Sequence, residues 1–173
     1  MTTLEHLWAG WRSEYVAAAA SQPTVAVPGD GACVFCRIIA TGEPSVENGI
    51  VWRDNLSCAI LNAYPYTTGH LLVMPLRHVG GLEELTAEES SSMWEASRKA
   101  VAVLTKAYEP DGANLGANLG RAAGAGIPSH LHLHVLPRWV GDTNFMTAVA
   151  GVRVMPESLT DTWAKLHEAW DGS

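Results

Sequence analysis

The stretch His130-Leu131-His132-Leu133-His134 places three histidines at alternate positions, and Val135-Leu136-Pro137 follows it directly. Polar and apolar residues that alternate with a period of two are typical of a β-strand with one polar face. Side chains two positions apart on such a face lie roughly 6.5–7 Å apart. Three imidazoles at that spacing match the span of a phosphate and its leaving group. Histidine also titrates near neutrality, so this strand is expected to carry a nucleophile, an acid or a base.

Two plainer interpretations of the three histidines compete with that one. A single histidine in a strand is usually structural, and a His-x-His pair on a strand is a common pair of zinc ligands. The apolar side chains of Leu131, Leu133 and Val135 are expected on the opposite face. That arrangement favours a functional strand over coincidence. A metal-dependent hydrolase with catalytic zinc on the triad remains an alternative, although no carboxylate base stands beside the histidines.

The composition excludes several classes of protein. The 173 residues suit a single domain over residues 1–173, and nearly half of them are apolar. The net charge of −7, with 11 Lys plus Arg, argues against a nucleic-acid partner. No apolar stretch approaches the ~20 residues of a membrane-spanning helix, so no membrane association is expected. The charged N-terminus does not resemble a signal peptide, and three cysteines favour a reduced, cytoplasmic setting.

The periodicity of the chain predicts a mixed α+β fold. The predicted strands are Ile50–Arg53, Ser57–Leu61, His70–Met74, Ala113–Asn118, the triad strand and Val152–Met155. A capping box at Thr86 and Glu89 predicts a long helix that ends near Tyr108. An N-terminal helical extension and a linker are expected over residues 1–30 and a C-terminal helix over residues 158–171. The core of the domain is expected at residues 33–144. The expected fold class is therefore α+β, a mostly antiparallel sheet with one long helix plus N- and C-terminal helices.

The chain resembles the histidine triad (HIT) superfamily of nucleotidyl hydrolases and transferases. The resemblance covers most of the chain, from about Cys33 to Asn144. It is carried, in order, by Cys33-Val34-Phe35-Cys36-Arg37-Ile38-Ile39, Leu61-Asn62, Gly69-His70-Leu71-Leu72-Val73-Met74-Pro75, His78, Asn118, Gly124-Ala125-Gly126 and the triad. It implies a HIT-like fold in which two protomers join their sheets, so a homodimer or higher homo-oligomer is expected. The tryptophans of the terminal helices would suit either that interface or their own domain.

The resemblance assigns a role to the triad histidines His130, His132 and His134. It makes His132 the nucleophile, whose Nε2 attacks the α-phosphorus of a nucleotide and forms a nucleotidyl-histidine intermediate. The Nδ1–H of His132 then needs an acceptor, which in the family is a backbone carbonyl near the first histidine. His134 would bind the phosphate or the bridging oxygen and help the leaving group to depart.

The resemblance also indicates residues that bind the nucleotide. They are Asn62 at the ribose, Asn118 near the α-phosphate, the loop residues Gly124, Ala125 and Gly126, the hydroxyl of Ser129, and Trp139 as a stacking face. Small residues in a loop allow backbone amides to approach a phosphate closely. Each residue has a plainer alternative: a turn former for the asparagines and glycines, and core burial for Trp139.

One departure from the family pattern bears on the substrate. Many members carry Gln-Ser or Gln-Thr where this chain has Gly126 and Ile127, which weakens assignment as a phosphoramidase or a dinucleoside triphosphate hydrolase. Residues 137–145 instead resemble the bacterial branch that cleaves diadenosine tetraphosphate. The expected function is cleavage of dinucleoside polyphosphates at the α-phosphate, as a phosphorylase that uses inorganic phosphate and gives ADP and ATP. The alternatives are an asymmetric hydrolase, an adenosine phosphoramidase and a non-catalytic nucleotide-binding protein.

A second site is predicted at the C-x-x-C pair of Cys33 and Cys36. This spacing is typical of zinc knuckles, but two further ligands are needed. Resemblance to the zinc-containing members supplies His78 and His130, which implies a closed, structural zinc site and no organic cofactor. The alternative is two ordinary core thiols. His70 is expected only to pack or to form hydrogen bonds.

Overall fold

The structure is a computed structural model that describes residues 33–143 and 155–172. In chain order, its elements are α1 (Val34–Ala40), β1 (Ile50–Arg53), β2 (Ser57–Leu61), β3 (Leu71–Pro75), α2 (Ala87–Tyr108), β4 (Gly112–Gly116), β5 (Leu133–Arg138) and α3 (Leu159–Asp171). The predicted N-terminal helix and linker, Asn144 and most of the strand Val152–Met155 lie outside the described residues. None of the described helices has the length and apolar character needed to span a bilayer.

The described strands form one antiparallel sheet in the order β1-β2-β3-β5-β4. The predicted bounds of β1 and β2 are confirmed, whereas β3 lies one residue later than predicted, β4 begins one residue early and ends two residues early, and β5 begins three residues after His130. Directly paired residues share a face of the sheet, so Ile60, Leu72, His134 and Gly116 form one row across four strands. That row marks the face on which the triad lies.

The long helix α2 covers the opposite face. The capping box is present, because Thr86 accepts from the Glu89 amide while the Glu89 carboxylate accepts from the Thr86 amide. The helix ends at Glu109, which adopts a left-handed conformation (φ 46°), since the following Pro110 disfavours a further helical residue. The apolar stripe of α2 is buried on the sheet; it contains Met93, Ala96, Ala100, Val103 and Leu104.

The C-terminal helix α3 packs on its own domain. Trp170 is only 1% exposed and stacks on Trp52 of β1, with ring centroids 5.3 Å apart. Trp163 donates from Nε1 to the Ile50 carbonyl at 2.8 Å. Both tryptophans of α3 are therefore used within the chain, while those of the N-terminal segment lie outside the described residues.

Candidate active site and metal centre

The three triad histidines lie on one side of the sheet but not on one strand: Phe35, which contacts the rings of His130 and His132, packs with Ile60 and Leu72 of the His134 row. Strand β5 begins at Leu133, so His130 and His132 lie in the segment that leads into it. In that segment the Leu131 amide donates to the Val79 carbonyl at 2.6 Å instead of joining the sheet ladder. This pairing with the loop after β3 brings the ring of His130 beside that of His78, with centroids 5.3 Å apart.

The ring of His130 belongs to a cluster with Cys33, Cys36 and His78. The four ligand atoms all lie within 4.8 Å of one another. His130 Nδ1 is 3.5 Å from Cys33 Sγ and 3.6 Å from Cys36 Sγ, and Cys36 Sγ is 3.2 Å from His78 Nδ1. Zinc bond lengths of about 2.0–2.3 Å give tetrahedral edges of roughly 3.3–3.8 Å. The donor set and its spacing therefore fit a tetrahedral metal ion.

A hydrogen bond to the backbone and burial fix the orientation and the protonation of the His130 ligand. His130 is fully buried, and its Nε2–H donates to the Pro75 carbonyl at 2.9 Å, which leaves Nδ1 as the ligand atom. Burial lowers the pKa of His130 and keeps the ring neutral, as a ligand must be. Burial also raises the pKa of the Cys36 thiol, and the neighbouring Cys33 adds to that rise.

Two local elements present the ligands. Cys33 is the N-cap of α1 and Cys36 lies in its first turn, so both sulfurs emerge from one helix end. His78 follows Arg77, whose guanidinium donates two hydrogen bonds of 2.7 Å to the carboxylate of Glu89. That ion pair ties the His78 loop to the start of α2.

The second triad histidine, His132, is fixed by the backbone of the first. Its Nδ1–H donates to the His130 carbonyl at 2.8 Å. The proton of the neutral ring therefore lies on Nδ1, and Nε2 carries the lone pair. The ring of Phe35 packs edge-on against both His130 and His132, with centroids 5.6 and 5.1 Å away. His132 is buried, with 7% of its surface exposed.

The third triad histidine, His134, contacts a fourth histidine. His70 is 1% exposed, and its Nε2 lies 2.9 Å from His134 Nδ1. The other nitrogen of His70, Nδ1, faces two donors: the Tyr66 amide at 3.1 Å and the Asn62 Nδ2 at 3.3 Å. His70 Nδ1 must therefore be an acceptor, so its proton lies on Nε2 and is donated to His134.

This contact sets the tautomer of His134. Because His134 Nδ1 accepts from His70, the proton of the neutral ring lies on Nε2. Burial lowers the pKa of His134, and the charge of His132 lowers it further. His132 and His134 therefore hold opposite tautomers: one presents a lone pair at Nε2, the other an N–H.

The surroundings of His134 contain an unsatisfied donor beside open space. His134 Nε2 is buried and has no hydrogen-bond partner among the described residues. The ring of Tyr66 stacks on His134 at 5.7 Å with an interplanar angle of 15°. Gly116 of β4 pairs with His134, and no atom of the described residues lies within 4 Å of the position that its Cβ would occupy. The face of the sheet beside His134 therefore has room for a ligand.

The loop between β4 and the triad is arranged differently from the expectation. Gly124 has a φ of 89° and lies close to the side chain of Asn118, so the loop folds back towards the end of β4. The amides of Gly124 and Ala125 donate to the carbonyls of Arg121 and Gly120. Those two amides are thus engaged within the loop and are not free for a phosphate. The assigned phosphate roles of Gly126 and of Ser129, which precedes His130, stay predictions.

Two predicted nucleotide contacts have other partners in the structure. The side chain of Asn62 bonds to His70 and accepts from the Tyr64 amide at 3.0 Å, so it orders the turn around His70. Trp139 lies five residues beyond His134, roughly 16 Å along an extended chain, and contacts Tyr108 edge-on. The nucleotide-stacking role of Trp139 stays a prediction. The ribose role of Asn62 stays a prediction.

The hydrogen bonds of His70 confirm the role expected from the sequence, but its partner His134 was not predicted. The position of His70 after Gly69 indicated only packing or a hydrogen bond. A signal was available, since the pairing of β3 with β5 brings the start of one strand beside the triad strand. The interpretation of the triad as a joint catalytic zinc site is wrong for the described residues, where His130 alone of the three joins a metal-type cluster.

Comparison with known proteins agrees with this arrangement. The family model for the HIT domain matches residues 43–140. A Mycobacterium tuberculosis protein named AP-4-A phosphorylase is 40% identical over 168 residues, which cover 96% of this chain and 85% of that protein. The asymmetrical bis(5′-nucleosyl)-tetraphosphatase of Schizosaccharomyces pombe is 35% identical over 56% of this chain and 53% of that protein.

A solved structure is similar as well. The crystal structure of a Zn-bound histidine triad family protein from Mycobacterium smegmatis superimposes with a TM-score of 0.66 at 29% identity, over 81% of this chain and 94% of that one. The chain belongs to the HIT domain family.

Proposed function

We propose that this chain cleaves dinucleoside polyphosphates such as diadenosine tetraphosphate at the α-phosphate, and that inorganic phosphate is the acceptor. The opposite tautomers of His132 and His134 are the observation that carries the proposal. A two-step transfer needs a neutral nucleophile and a neighbouring donor for the phosphate oxygens. The hydrogen bonds of the two rings supply both in adjacent side chains.

In the first step the Nε2 lone pair of His132 forms a bond to the α-phosphorus. The bond from phosphorus to the bridging oxygen breaks, and its electron pair leaves on the terminal oxygen of ATP. The resulting nucleotidyl-imidazolium keeps its Nδ1 proton, whose charge the His130 carbonyl stabilises at 2.8 Å. A phosphate oxygen then attacks the same phosphorus, ADP forms, and the pair returns to Nε2.

Similarity favours phosphate as the acceptor over water. The relative at 40% identity carries the name AP-4-A phosphorylase and spans nearly the whole chain. The asymmetrical tetraphosphatase matches over a shorter region at 35%. Hydrolysis by the same intermediate is the second candidate, because water can replace phosphate in the second step without any change in the first.

Product analysis tests the proposal. The purified protein is incubated with diadenosine tetraphosphate, with and without inorganic phosphate, and nucleotides are separated by ion exchange. ADP plus ATP that appear only with phosphate are the expected result. AMP plus ATP without phosphate would establish the hydrolase instead, and absence of turnover in both would contradict the proposed function.

The nucleophile has its own test. His132→Ala should lower turnover by at least about 10⁴-fold, because the covalent route is lost while the sheet and the helices packed on it stay intact. Wild-type protein denatured at alkaline pH, where the bond between phosphorus and imidazole is stable, should carry a nucleotidyl adduct by mass spectrometry, and the variant should carry none. His167→Ala, which changes a histidine on α3 that bonds to the Val51 carbonyl, is the matched control. Full activity in His132→Ala would refute the mechanism.

We infer further that the cluster of Cys33, Cys36, His78 and His130 holds a structural zinc ion. The spacing of its donor atoms supports this, as does the Zn-bound relative at 29% identity. Zinc would join α1, the loop after β3 and the triad segment, and its contribution is to stability. Metal analysis of protein purified without chelators should find about one zinc per chain.

A homodimer through β4 also remains a proposal. All five residues of β4 are exposed, and Leu115 is 41% exposed on this edge strand of the sheet. A second copy could continue the sheet there. Light scattering of the wild type and of Leu115→Lys tests this: the wild type should have twice the chain mass, and the variant a smaller one. The cytoplasmic location stays a prediction.

A further inference from the structure

We propose that Arg121 forms an acceptor subsite beside the triad: its guanidinium binds the inorganic phosphate that attacks the nucleotidyl-His132 intermediate and thereby favours phosphate over water. The inference rests on the proposed function, because it names the residue that recognises the second substrate. Three observations carry it: the charge of the chain around the triad, the partners of the described cations, and the loop that presents Arg121.

The triad lies in a part of the chain that is almost free of formal charge. Between Asp111 and Arg138, Arg121 is the only Asp, Glu, Lys or Arg residue. Phosphorolysis nevertheless brings a phosphate dianion up to the phosphoryl oxygens of the intermediate. Two anionic groups in contact repel each other unless a positive charge lies beside them. Arg121 carries the one permanent positive charge that this part of the chain contains.

The side chain of Arg121 is free to bind an anion. Among the residues that the structure describes, Arg37 and Arg121 are the cations whose side chains have no hydrogen bond, ion pair or ring contact. The others contact a carboxylate, a carbonyl or an aromatic ring; they are Arg53, Arg77, Arg98, Lys99, Lys106, Arg138 and Lys165. Arg37 lines a groove beside α1 together with two carboxylates, Glu43 and Glu47, which disfavour an anion there.

The loop that carries Arg121 begins beside the triad. Gly116, the last residue of β4, pairs with His134, and the turn Arg121–Ala123 follows five residues later. Gly124 brings the chain back to the side chain of Asn118, which is two residues beyond Gly116. The three residues from there to the start of the turn span at most about 11 Å. The loop therefore allows the guanidinium to reach the space beside Gly116 and His134.

The other donors of this loop do not compete for the phosphate. The amides of Gly124 and Ala125 are bonded within the turn, as described above. Residues 126 and 127, a glycine and an isoleucine, have no side-chain donor. The side chain of Arg121 is exposed at the start of this hydrogen-bonded turn. A guanidinium is a planar fork of N–H donors that matches two phosphate oxygens, so this side chain suits the acceptor.

The transfer itself needs no proton from Arg121. A phosphate dianion attacks the α-phosphorus of the intermediate through an unprotonated oxygen. The new bond from oxygen to phosphorus forms, the bond from phosphorus to Nε2 breaks, and its electron pair returns to His132. Guanidinium groups keep their protons in proteins, so Arg121 only offsets the charge of the entering anion. Water is neutral and must lose a proton to attack, and it therefore gains nothing from this charge.

Steady-state kinetics with inorganic phosphate as the varied substrate test the proposal. ADP formation from diadenosine tetraphosphate is followed at constant ionic strength. We expect Arg121→Gln to raise the KM for phosphate at least about tenfold and to change the KM for diadenosine tetraphosphate less than about threefold. Arg121→Lys keeps the charge but not the fork, so its KM for phosphate should be intermediate. Arg37→Gln removes another exposed and unpaired charge, and its KM for phosphate should match the wild type.

The other outcomes separate this inference from the proposed function. If ADP forms but the KM for phosphate in Arg121→Gln is unchanged, or rises only as far as in Arg37→Gln, the inference is wrong and the phosphorylase stands. A rise confined to the KM for diadenosine tetraphosphate would assign Arg121 to the leaving polyphosphate and contradict the acceptor role. AMP in place of ADP from the wild type at saturating phosphate would refute the phosphorylase and the acceptor role together.

Chemical modification gives a readout that does not depend on turnover. Phenylglyoxal reacts with free guanidinium groups, and peptide mass spectrometry locates the adducts. Without phosphate, both Arg37 and Arg121 should be modified, because both side chains are exposed. Inorganic phosphate at constant ionic strength should protect Arg121 and leave Arg37 reactive. Equal protection of the two arginines, or protection of neither, would overturn the inference.

Discussion

Two groups of histidines flank His132, and they are put to opposite uses. On one side the rings of His130 and His78 face two thiols; on the other, His70 and His134 face each other. His130 and His134 have similar local sequences, each followed by an apolar residue. What differs is the partner of the second nitrogen, a backbone carbonyl for His130 and another imidazole for His134. The role of a histidine is thus set by its outer contact.

The largest expected effect on kcat comes from substitutions that separate the roles of the two histidine groups. His70→Phe removes the donor to His134 and should lower kcat about 10–100-fold with little change in zinc content. His70→Gln, whose amide can reach the position of Nε2, should recover part of that loss. His78→Ala should instead lower zinc content and Tm, with a smaller effect on kcat. Activity assays, metal analysis and thermal denaturation of the three variants decide this.

The comparison of His70→Phe with His78→Ala tests the separation of roles. Equal losses of activity in His70→Phe and His78→Ala, at temperatures well below both melting points, would contradict the separation of roles. A failure of His70→Gln to recover any activity would indicate that burial of His70, and not its hydrogen bond, is important.

An effect of similar size should follow when the open side of His134 is filled. Gly116→Val should lower kcat/KM about 10–100-fold, since the added side chain occupies the space beside His134 and displaces the phosphate. Gly112→Val is the control, because Gly112 also has nothing within 4 Å of its Cβ position but pairs with Arg138 at the far end of β4. Equal kinetics for the two variants would mean that the substrate does not approach along β4.

The smallest effect concerns the loop that presents His78 to the metal cluster. In that loop, Arg77 forms an ion pair with Glu89, which holds the pKa of the Glu89 carboxyl at about 2, below its ordinary value of 4.5. This contribution to folding is complete above about pH 4.5 and is lost as the pH falls towards 2. Glu89→Gln should lower the free energy of unfolding by about 1–2 kcal/mol at pH 7, since Arg77 is half exposed to solvent.

Denaturant titrations at several pH values check that prediction. The difference between wild type and Glu89→Gln should shrink as the pH is lowered below 4.5. A difference that stays constant down to pH 3 would show that the charge of Glu89 is not the source of the stability.

The sequence by itself determined the strands, the long helix and the family. Alternation of apolar residues, the Thr86–Glu89 capping box and the triad pattern are local signals, and the structure confirms the elements they predict within its described residues. The convergence of Cys33, Cys36, His78 and His130 came from the resemblance and is also present in the fold. Local spacing predicted a strand that includes His130, whereas β5 begins three residues later, at Leu133.

Only the tertiary structure decided how each imidazole is used. The tautomer of His134 depends on His70, 64 residues away, and the tautomer of His70 depends in turn on a backbone amide and on Asn62. These are hydrogen bonds between separate strands and a turn, and they are set by the register of β3 against β5. A sequence pattern shows that a histidine is present, but its proton is placed by neighbours that only the folded chain brings together.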